Sequence, residues 1–476
     1  MECVMPSMAN SQPLGKVCVL GLGRTGFGVV EYLIQHMPDR VESIHLYGGA
    51  RSVPNEQTAR FEGQGVHVTC GTDEIKGEYD LAIVSPGIPP RSAFFLSAKA
   101  HAKDLVGEPE FAWRESPNRW VGITGTNGKT TSTLLTAEIM NTGGVKAEAV
   151  GNIGVVATGE IADRPEDMWF VAELSSFQLA TSLQLHPRVA CLLNLTPDHI
   201  EWHGTLEEYA EAKGQMFRNL DDEDLAVVSV DDSWCRKVAD KLEARGLRVC
   251  RVSVHGVPES YSAAFVRKGR LVVRLDGKEH KLVLGESLSL EGAHNMFNAL
   301  VASAVALELG VTVEAVCHAL MTFAPLEHRI EPCGTWQDVR FINDSKATNV
   351  DSVEKALASF SPGKIVVLLG GHDKGTELDS LAHEVSARCY AAVCYGEAGA
   401  RIAEAIREAD ANMGLTVVEE PHMAEAFSRA VELARPGDVV LLSPACSSFD
   451  EFGSFQERGN AFKDLVKELG ALKEAK

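Results

Sequence analysis

The segment Gly122-Ile123-Thr124-Gly125-Thr126-Asn127-Gly128-Lys129-Thr130-Thr131 lies between an apolar run and a helix-compatible stretch, the setting in which glycine-rich loops cradle phosphate. Glycines let backbone N–H groups converge on phosphate oxygens, Lys129 supplies a cation, and Thr130 offers a hydroxyl to a magnesium ion. The spacing departs from the common G-x-x-x-x-G-K-T pattern, because Ile123 stands six residues before Lys129 and the glycine falls one earlier. A glycine-rich turn with a surface lysine is the plainer alternative; it leaves the joint occurrence of strand, glycines, lysine and hydroxyl without a reason. Glu173 lies in VAEL and Asp198-His199 follows NLTP, each after an apolar run. An acid and a histidine facing a phosphate loop would hold magnesium between nucleotide and substrate, although either alone reads equally well as a solvated loop residue. Thr205-Leu-Glu-Glu208 has capping-box spacing and predicts a helix carrying Tyr209, Lys213 and Met216, on which Lys213 is most simply an exposed lysine. Asn295 and Asn298 share a helix face, where they either pack or serve a ligand, and His328-Arg329 sits in a turn after Pro325.

The elements that must position these residues follow from the apolar pattern. From Lys16 short apolar runs alternate with helix-like stretches (VCVLGLG, SIHLYGG, YDLAIVSPGIP), which predicts a parallel α/β unit over residues 1–110. A second unit of the same style opens at Trp120 and spans 111–324; between Leu247 and Leu290 its texture alternates, and Asp276-Gly277 suits a two-residue hairpin turn, so a small antiparallel insertion is expected there. A third α/β unit covers 325–476, with DSKATN, GHDKG and SSFDEF each directly after an apolar run, where the carboxyl ends of parallel strands build ligand sites. The fold expected is therefore α/β with three domains. The first is Rossmann-like, the second a mononucleotide-binding parallel sheet of the phosphate-loop type, and the third again Rossmann-like.

Length and composition agree. At ~100–200 residues per domain, 476 residues make about three. With 45 Lys plus Arg against 66 Asp plus Glu, the net charge of -21 opposes sequence-independent attraction to nucleic acid or anionic lipid. The 11 cysteines are scattered without paired spacings and read as thiols of a reducing compartment. Without an apolar stretch of membrane-spanning length or a secretory apolar core near Met1, the expectation is a cytoplasmic protein with no membrane insertion and no nucleic-acid partner.

GTNGKT, ELSSFQ and NLTPDH together resemble the ordered motifs of the Mur ligases, the ATP-dependent amino-acid-adding enzymes of peptidoglycan synthesis. The resemblance implies that Gly125, Thr126, Asn127, Gly128, Lys129, Thr130, Thr131, Asn295, Arg329 and Asp344 bind ATP, with Asp344 on the ribose. It implies magnesium, two ions in all, held by Thr130, Glu173, His199 and a carbamylated Lys213. It gives Lys129, His199, Lys213 and Arg329 catalytic parts. A mobile third domain, hinged at Ala324 to Arg329, is a further expectation. Gly21-Leu-Gly23-Arg24-Thr25-Gly26 has the G-x-G-x-x-G spacing of a dinucleotide site, yet the second run ends Leu46-Tyr47-Gly48 without the acid that grips an NAD ribose. The family instead implies a uridine diphosphate sugar held by Arg24, Thr25, Gly26, Ser85, Pro86, Gly87 and Asn152, although Gly48-Gly49-Ala50 lacks an acidic or hydroxyl-bearing turn.

Near the C-terminus, LLSPACSSFDEFGSFQERG resembles the signature of the D-glutamate-adding branch. That branch implies UDP-N-acetylmuramoyl-L-alanine and D-glutamate as small-molecule substrates of a monomer. A dicarboxylate needs cations and oriented donors, which Thr348, Lys374 and Ser448 would supply, with Phe449 and Phe455 walling the pocket. Without the resemblance those two Phe read as core residues. Two rivals stay open at this point: a folylpolyglutamate synthetase, which shares the nucleotide loop but is expected to lack the first domain, and a nucleotide-dependent binding switch that ligates nothing.

Overall fold

The structure, a computed structural model, describes residues 12–474 except 163, 199, 291, 324–326, 374, 377 and 410–413. His199, Lys374 and part of the Ala324 to Arg329 segment thus lie outside the described residues. The described residues form three sheets. They divide into two compact units, one containing the first two sheets and the helix face from Asn295 to Thr322, the other containing Ser289–His294 and the chain from Phe323 onward.

The first sheet has strands β1 (Gly15–Leu20), β2 (Val41–Tyr47), β3 (His67–Thr69), β4 (Tyr79–Val84) and β5 (Ala102–Gly107) in the order β3-β2-β1-β4-β5. All pairs are parallel. Its strands read as continuous apolar runs because both faces are covered: Val17 and Val19 join one buried cluster, while Cys18 and Leu20 join another on the opposite side. The chain reverses its direction of travel across the sheet between β1 and β4, the switch point at which open α/β sheets bind ligands.

The second sheet contains β6 (Trp120–Thr124), β7 (Ala147–Gly151), β8 (Trp169–Glu173), β9 (Val189–Leu192), β10 (Leu225–Ser229), β11 (Arg248–Ser253), β12 (Ser262–Arg267), β13 (Arg270–Leu275) and β14 (Lys278–Leu284). The order is β14-β13-β12-β11-β10-β9-β6-β8-β7. The antiparallel strands expected after Leu247 continue the edge of this sheet; β11 and β12 still pair in parallel, and the antiparallel pairs are β12–β13 and β13–β14, so that β13 alone is reversed. Asp276 and Gly277 both take positive φ, 48° and 80°, as a two-residue type I′ hairpin requires.

The third sheet, β15 (Glu331–Trp336), β16 (Val339–Asn343), β17 (Ile365–Gly370), β18 (Cys389–Tyr395), β19 (Thr416–Glu420) and β20 (Val439–Ala445), has the order β15-β16-β20-β17-β18-β19 and is parallel apart from the β15–β16 pair. Three adjacent strands, β16, β20 and β17, deliver DSKATN, SSFDEF and GHDKG at their carboxyl ends. No described helix is long and apolar enough to cross a membrane, and the ten described cysteines form no disulfide with one another.

Candidate active site

The phosphate loop is built between β6 and the helix Lys129–Thr142. Gly122 is not part of it: the residue lies within β6, where a Cβ would sit 2.5 Å from the Met216 sulfur. Gly128 caps the helix with φ 80°, and a Cβ there would meet Asn298 Oδ1 at 2.6 Å, so conformation and space both demand glycine. The Lys129 ammonium folds over the loop and donates to the carbonyls of Gly125 (2.9 Å) and Thr126 (2.7 Å). Asn194, which follows β9, clamps the loop reciprocally: its Oδ1 accepts from Asn127 N (2.8 Å) and its Nδ2 donates to Asn127 O (3.0 Å). Thr126 bonds to Thr196 and Tyr209 behind the loop, while Thr130 and Thr131 are buried at the helix start. Asn298 accepts from Ser132 Oγ (3.2 Å) and donates to Asn295 Oδ1 (3.3 Å), so the two asparagines share a face and press on this helix.

Lys213 is only 1 % exposed, which removes the surface reading. Thr205 caps the helix Leu206–Gly214 by accepting from Glu208 N, and this places Lys213 in the last turn with its Nζ donating to the Gly125 carbonyl at 2.8 Å. Burial, and then the Lys129 charge, hold its pKa far below the usual ammonium range against the opposing pull of Asp198, Cys235 and Glu173. Burial that disfavours the ammonium shifts this lysine toward the nucleophilic amine form. Glu173 ends β8 next to β6 and is 3 % exposed. Its Oε1 accepts from Asn152 Nδ2 (3.0 Å), whereas its Oε2 is buried with no hydrogen-bond partner. A buried carboxylate oxygen left over beside a phosphate loop suits a hard divalent cation, so the donor set of Thr130 and Glu173 fits magnesium.

The first domain brings its expected residues together at the switch point. A Cβ on Gly26 would lie 2.0 Å from Gly21 O, and one on Gly21 2.7 Å from Ser85 Oγ, so the loops after β1 and β4 are in close contact. Ser85 Oγ is buried without a partner, and Pro86 and Gly87 continue that loop. Arg24 and Thr25 begin the helix Arg24–Gln35, and Arg24 donates to Gly154 O, beside the second sheet (2.8 Å). Asn152 is exposed and reaches Glu173, linking the two sites. In the loop after β3, Asp73 Oδ1 accepts from Ala50 N (2.8 Å), which holds the turn after β2. The two positions are 23 residues apart, so no local pattern marks this contact.

In the other unit, Arg329 and Asp344 lie close enough for the guanidinium to favour the carboxylate, yet complete burial pushes the Asp344 carboxyl up to about 7. Asp344 accepts from Ser443 Oγ (2.7 Å) and Ile330 N (3.3 Å). Ser448 is buried and its hydroxyl has no partner; Thr348 is half-buried in the loop after β16. Phe449 is 71 % exposed, against its reading as a core residue, and Phe455 is half-buried between Lys346 and the edge of His328. Arg458, passed over in the sequence, is the cation at the centre of this region: it donates to Ser345 Oγ, Ser345 O, Cys446 O and Ser447 O, tying the loops after β16 and β20.

Comparison with known proteins agrees with this architecture. Residues 123–306 match the Mur ligase middle domain and residues 328–446 the Mur ligase glutamate ligase domain. The chain is 36% identical over 397 residues to a UDP-N-acetylmuramoylalanine–D-glutamate ligase of Alkaliphilus oremlandii, covering 83% of this chain and 86% of that one. It is 35% identical over 459 residues to the protein of the same name from Koribacter versatilis, covering 95% and 97%. Among solved structures, it shares its fold with a pseudomurein peptide ligase type C from Methanothermus fervidus (TM-score 0.58, 16% identity, 95% of this chain and 100% of that one). The UDP-N-acetylmuramate-alanine ligase of Thermotoga maritima gives a TM-score of 0.56 at 18% identity, covering 95% and 99%. With a phosphate loop, a left-over carboxylate oxygen and a buried amine in one sheet end, and with relatives of this identity along its length, the chain belongs to the Mur ligase family, in the group of the UDP-N-acetylmuramoylalanine–D-glutamate ligases.

Proposed function

We propose that the protein joins D-glutamate to UDP-N-acetylmuramoyl-L-alanine at the expense of ATP, through an acyl phosphate. In this reading residues 1–110 hold the uridine diphosphate sugar, 111–324 hold ATP, and 325–476 hold the amino acid, in a monomer. The observation that carries it is the convergence on the Gly125 carbonyl of two lysines, Lys129 and Lys213, beside the left-over Glu173 oxygen. The terminal carboxylate of the sugar nucleotide attacks the γ-phosphorus of ATP and ADP leaves. Lys129, the loop N–H groups and Arg329 neutralise the spreading charge. The amine of D-glutamate then attacks the acyl carbonyl, loses a proton, and phosphate departs with the amide formed. Ser85 and Arg24 take the pyrophosphate of the sugar nucleotide; Thr348, Ser448, Phe449 and Phe455, with Lys374, take D-glutamate; Asn295 and Asp344 take adenosine.

Thr130, Glu173 and His199 would hold magnesium, which supplies charge neutralisation at the phosphates. Lys213 is the residue that reacts with carbon dioxide: the amine adds to the carbon, a proton leaves, and an anionic carbamate stands in place of the amine beside the metal ligands. Phosphate release is the test, measured with UDP-N-acetylmuramoyl-L-alanine and D-glutamate, L-glutamate, D-aspartate or no amino acid. Release that requires D-glutamate, with transfer of one carboxylate oxygen-18 to the phosphate, is expected. Release with another amino acid only, or phosphate free of label, overturns the substrate or the acyl-phosphate step respectively.

A further inference from the structure

Asn343, the last residue of β16, is 0 % exposed, and its amide is engaged on four sides. Its Nδ2 donates to His328 Nδ1 (2.9 Å), to Glu331 Oε2 (3.0 Å) and, more weakly, to Gly459 O (3.3 Å), while its Oδ1 accepts from Ser345 N (3.1 Å). The next side chain, Asp344, accepts from Ile330 N. Two consecutive residues at the end of one strand therefore grip the chain on both sides of Arg329.

That grip matters because the turn is strained. His328 and Ile330 take φ of 64° and 43°, the left-handed region that residues with a Cβ avoid and a β-branched residue avoids most. Such conformations persist where the surroundings over-determine them, and they concentrate at working sites. Here Glu331 also accepts from His328 N (2.8 Å) and Lys346 N donates to His328 O (3.0 Å). Gly459 leaves the room: a Cβ there would fall 2.2 Å from His328 Nδ1.

We propose that Asn343 is a positioning residue for phosphoryl transfer, holding His328 so that the strained turn presents Arg329 to ATP. The inference rests on the reading that Arg329 neutralises phosphate charge. The amide also sets the tautomer. An NH2 donating to Nδ1 leaves the His328 proton on Nε2 and the ring neutral, in a setting where Glu331 and Glu327 face it from the start of β15 and the turn before it, Lys346 from the loop after β16, and Lys463 from the C-terminal helix.

The test compares Asn343→Ala, Asn343→Asp, Arg329→Ala and the Asn343→Ala/Arg329→Ala double variant in the full enzyme. Asn343→Ala should lower kcat by roughly 10- to 100-fold and raise the KM for ATP, with the KM for D-glutamate within about twofold, since misplacement by ~1 Å costs ~100-fold. The double variant should be no worse than Arg329→Ala. Asn343→Asp sets a carboxylate against Glu331 Oε2 as well as His328 Nδ1, so its activity should recover as pH falls and this cluster takes up a proton, a limb absent from the parent profile. Full activity of Asn343→Ala, multiplying rather than shared losses in the double variant, or a pH profile of Asn343→Asp parallel to the parent each overturn the proposal. Near-normal turnover of Arg329→Ala removes the Arg329 reading itself, and with it the residue through which Asn343 would act. Should Asn343→Ala fail to fold, the pH profile of Asn343→Asp decides alone.

Discussion

Each of the two compact units buries a cation against backbone carbonyls, and the outcomes are opposite. Among the described residues Lys213 has one hydrogen-bond acceptor, the Gly125 carbonyl, with the Tyr209 ring 4.5 Å from its Nζ. Arg458 has four acceptors on two loops. An ammonium is a point charge that loses much of its hydration on burial and sheds its proton when acceptors are few. A guanidinium keeps its charge and spreads five donors over a rigid plane. The first arrangement therefore yields a reactive amine, and the second a rivet.

Exchanging each cation for methionine separates the two cases. Lys213→Met should cut phosphate release roughly 100- to 1,000-fold, the scale of losing one preorganised electrostatic group. Its urea midpoint should stay near the parent value, because the desolvation that disfavours the buried ammonium offsets what its carbonyl contact contributes. Equal activity would show that the amine is not part of the chemistry. Arg458→Met should do the reverse to stability, costing ~3–5 kcal/mol because three carbonyls and a hydroxyl lose a buried donor. A methionine at 458 that melts like one at 213 would dissolve the contrast.

Asp344 sharpens the comparison with a buried group of opposite sign. Its carboxyl is raised to about 7, first by burial, with the Ser443 hydroxyl, Arg329 and the Ile330 amide only partly offsetting it. A folded pKa above the unfolded one means that the protonated form is favoured in the fold. Its contribution is therefore complete below pH ~4 and lost as pH rises through ~7, a change on the order of 2–4 kcal/mol. Asp344→Asn should flatten the dependence of the urea midpoint on pH between 4 and 8 and raise stability at pH 8, while weakening ATP binding. An unchanged slope would mean that the carboxylate is already well satisfied.

What could be read from the sequence divides along the same physical line. The phosphate loop was legible because glycine, lysine and hydroxyl are close in sequence, and the loops at the ends of β16, β17 and β20 because apolar runs end abruptly. The hairpin at Asp276-Gly277 was legible for the same local reason. Lys213 was legible only through family resemblance: its helix was predicted from Thr205, but its burial depends on the Gly125 carbonyl, 88 residues away in sequence. Asp73 holds the turn after β2 from the loop after β3, and nothing near it in sequence marked it; Asn194 and Arg458 stand inside NLTPDH and SSFDEFGSFQERG, but their partners lie 67 and 113 residues away, so the motifs did not show what they hold. Phe449 differs again: by residue type alone it reads as core and by resemblance as a pocket wall, and in the polar loop SSFDEF it stands in solvent.

The smallest effect tests whether Lys213 is set by its own surroundings or by the helix that carries it. Thr205 begins that helix, its side chain accepting from Glu208 N at 3.1 Å, eight residues before Lys213. Removing such a cap costs ~1 kcal/mol and frays mainly the first turn. Lys213 lies in the last turn, where the Gly125 carbonyl and the Tyr209 ring fix it independently of the start. Thr205→Ala should therefore lower the urea midpoint slightly while phosphate release stays within about twofold of the parent. If activity instead fell as far as in Lys213→Met, the amine would be governed by the helix as a rigid body, and burial against one carbonyl would no longer explain why this lysine differs from Arg458.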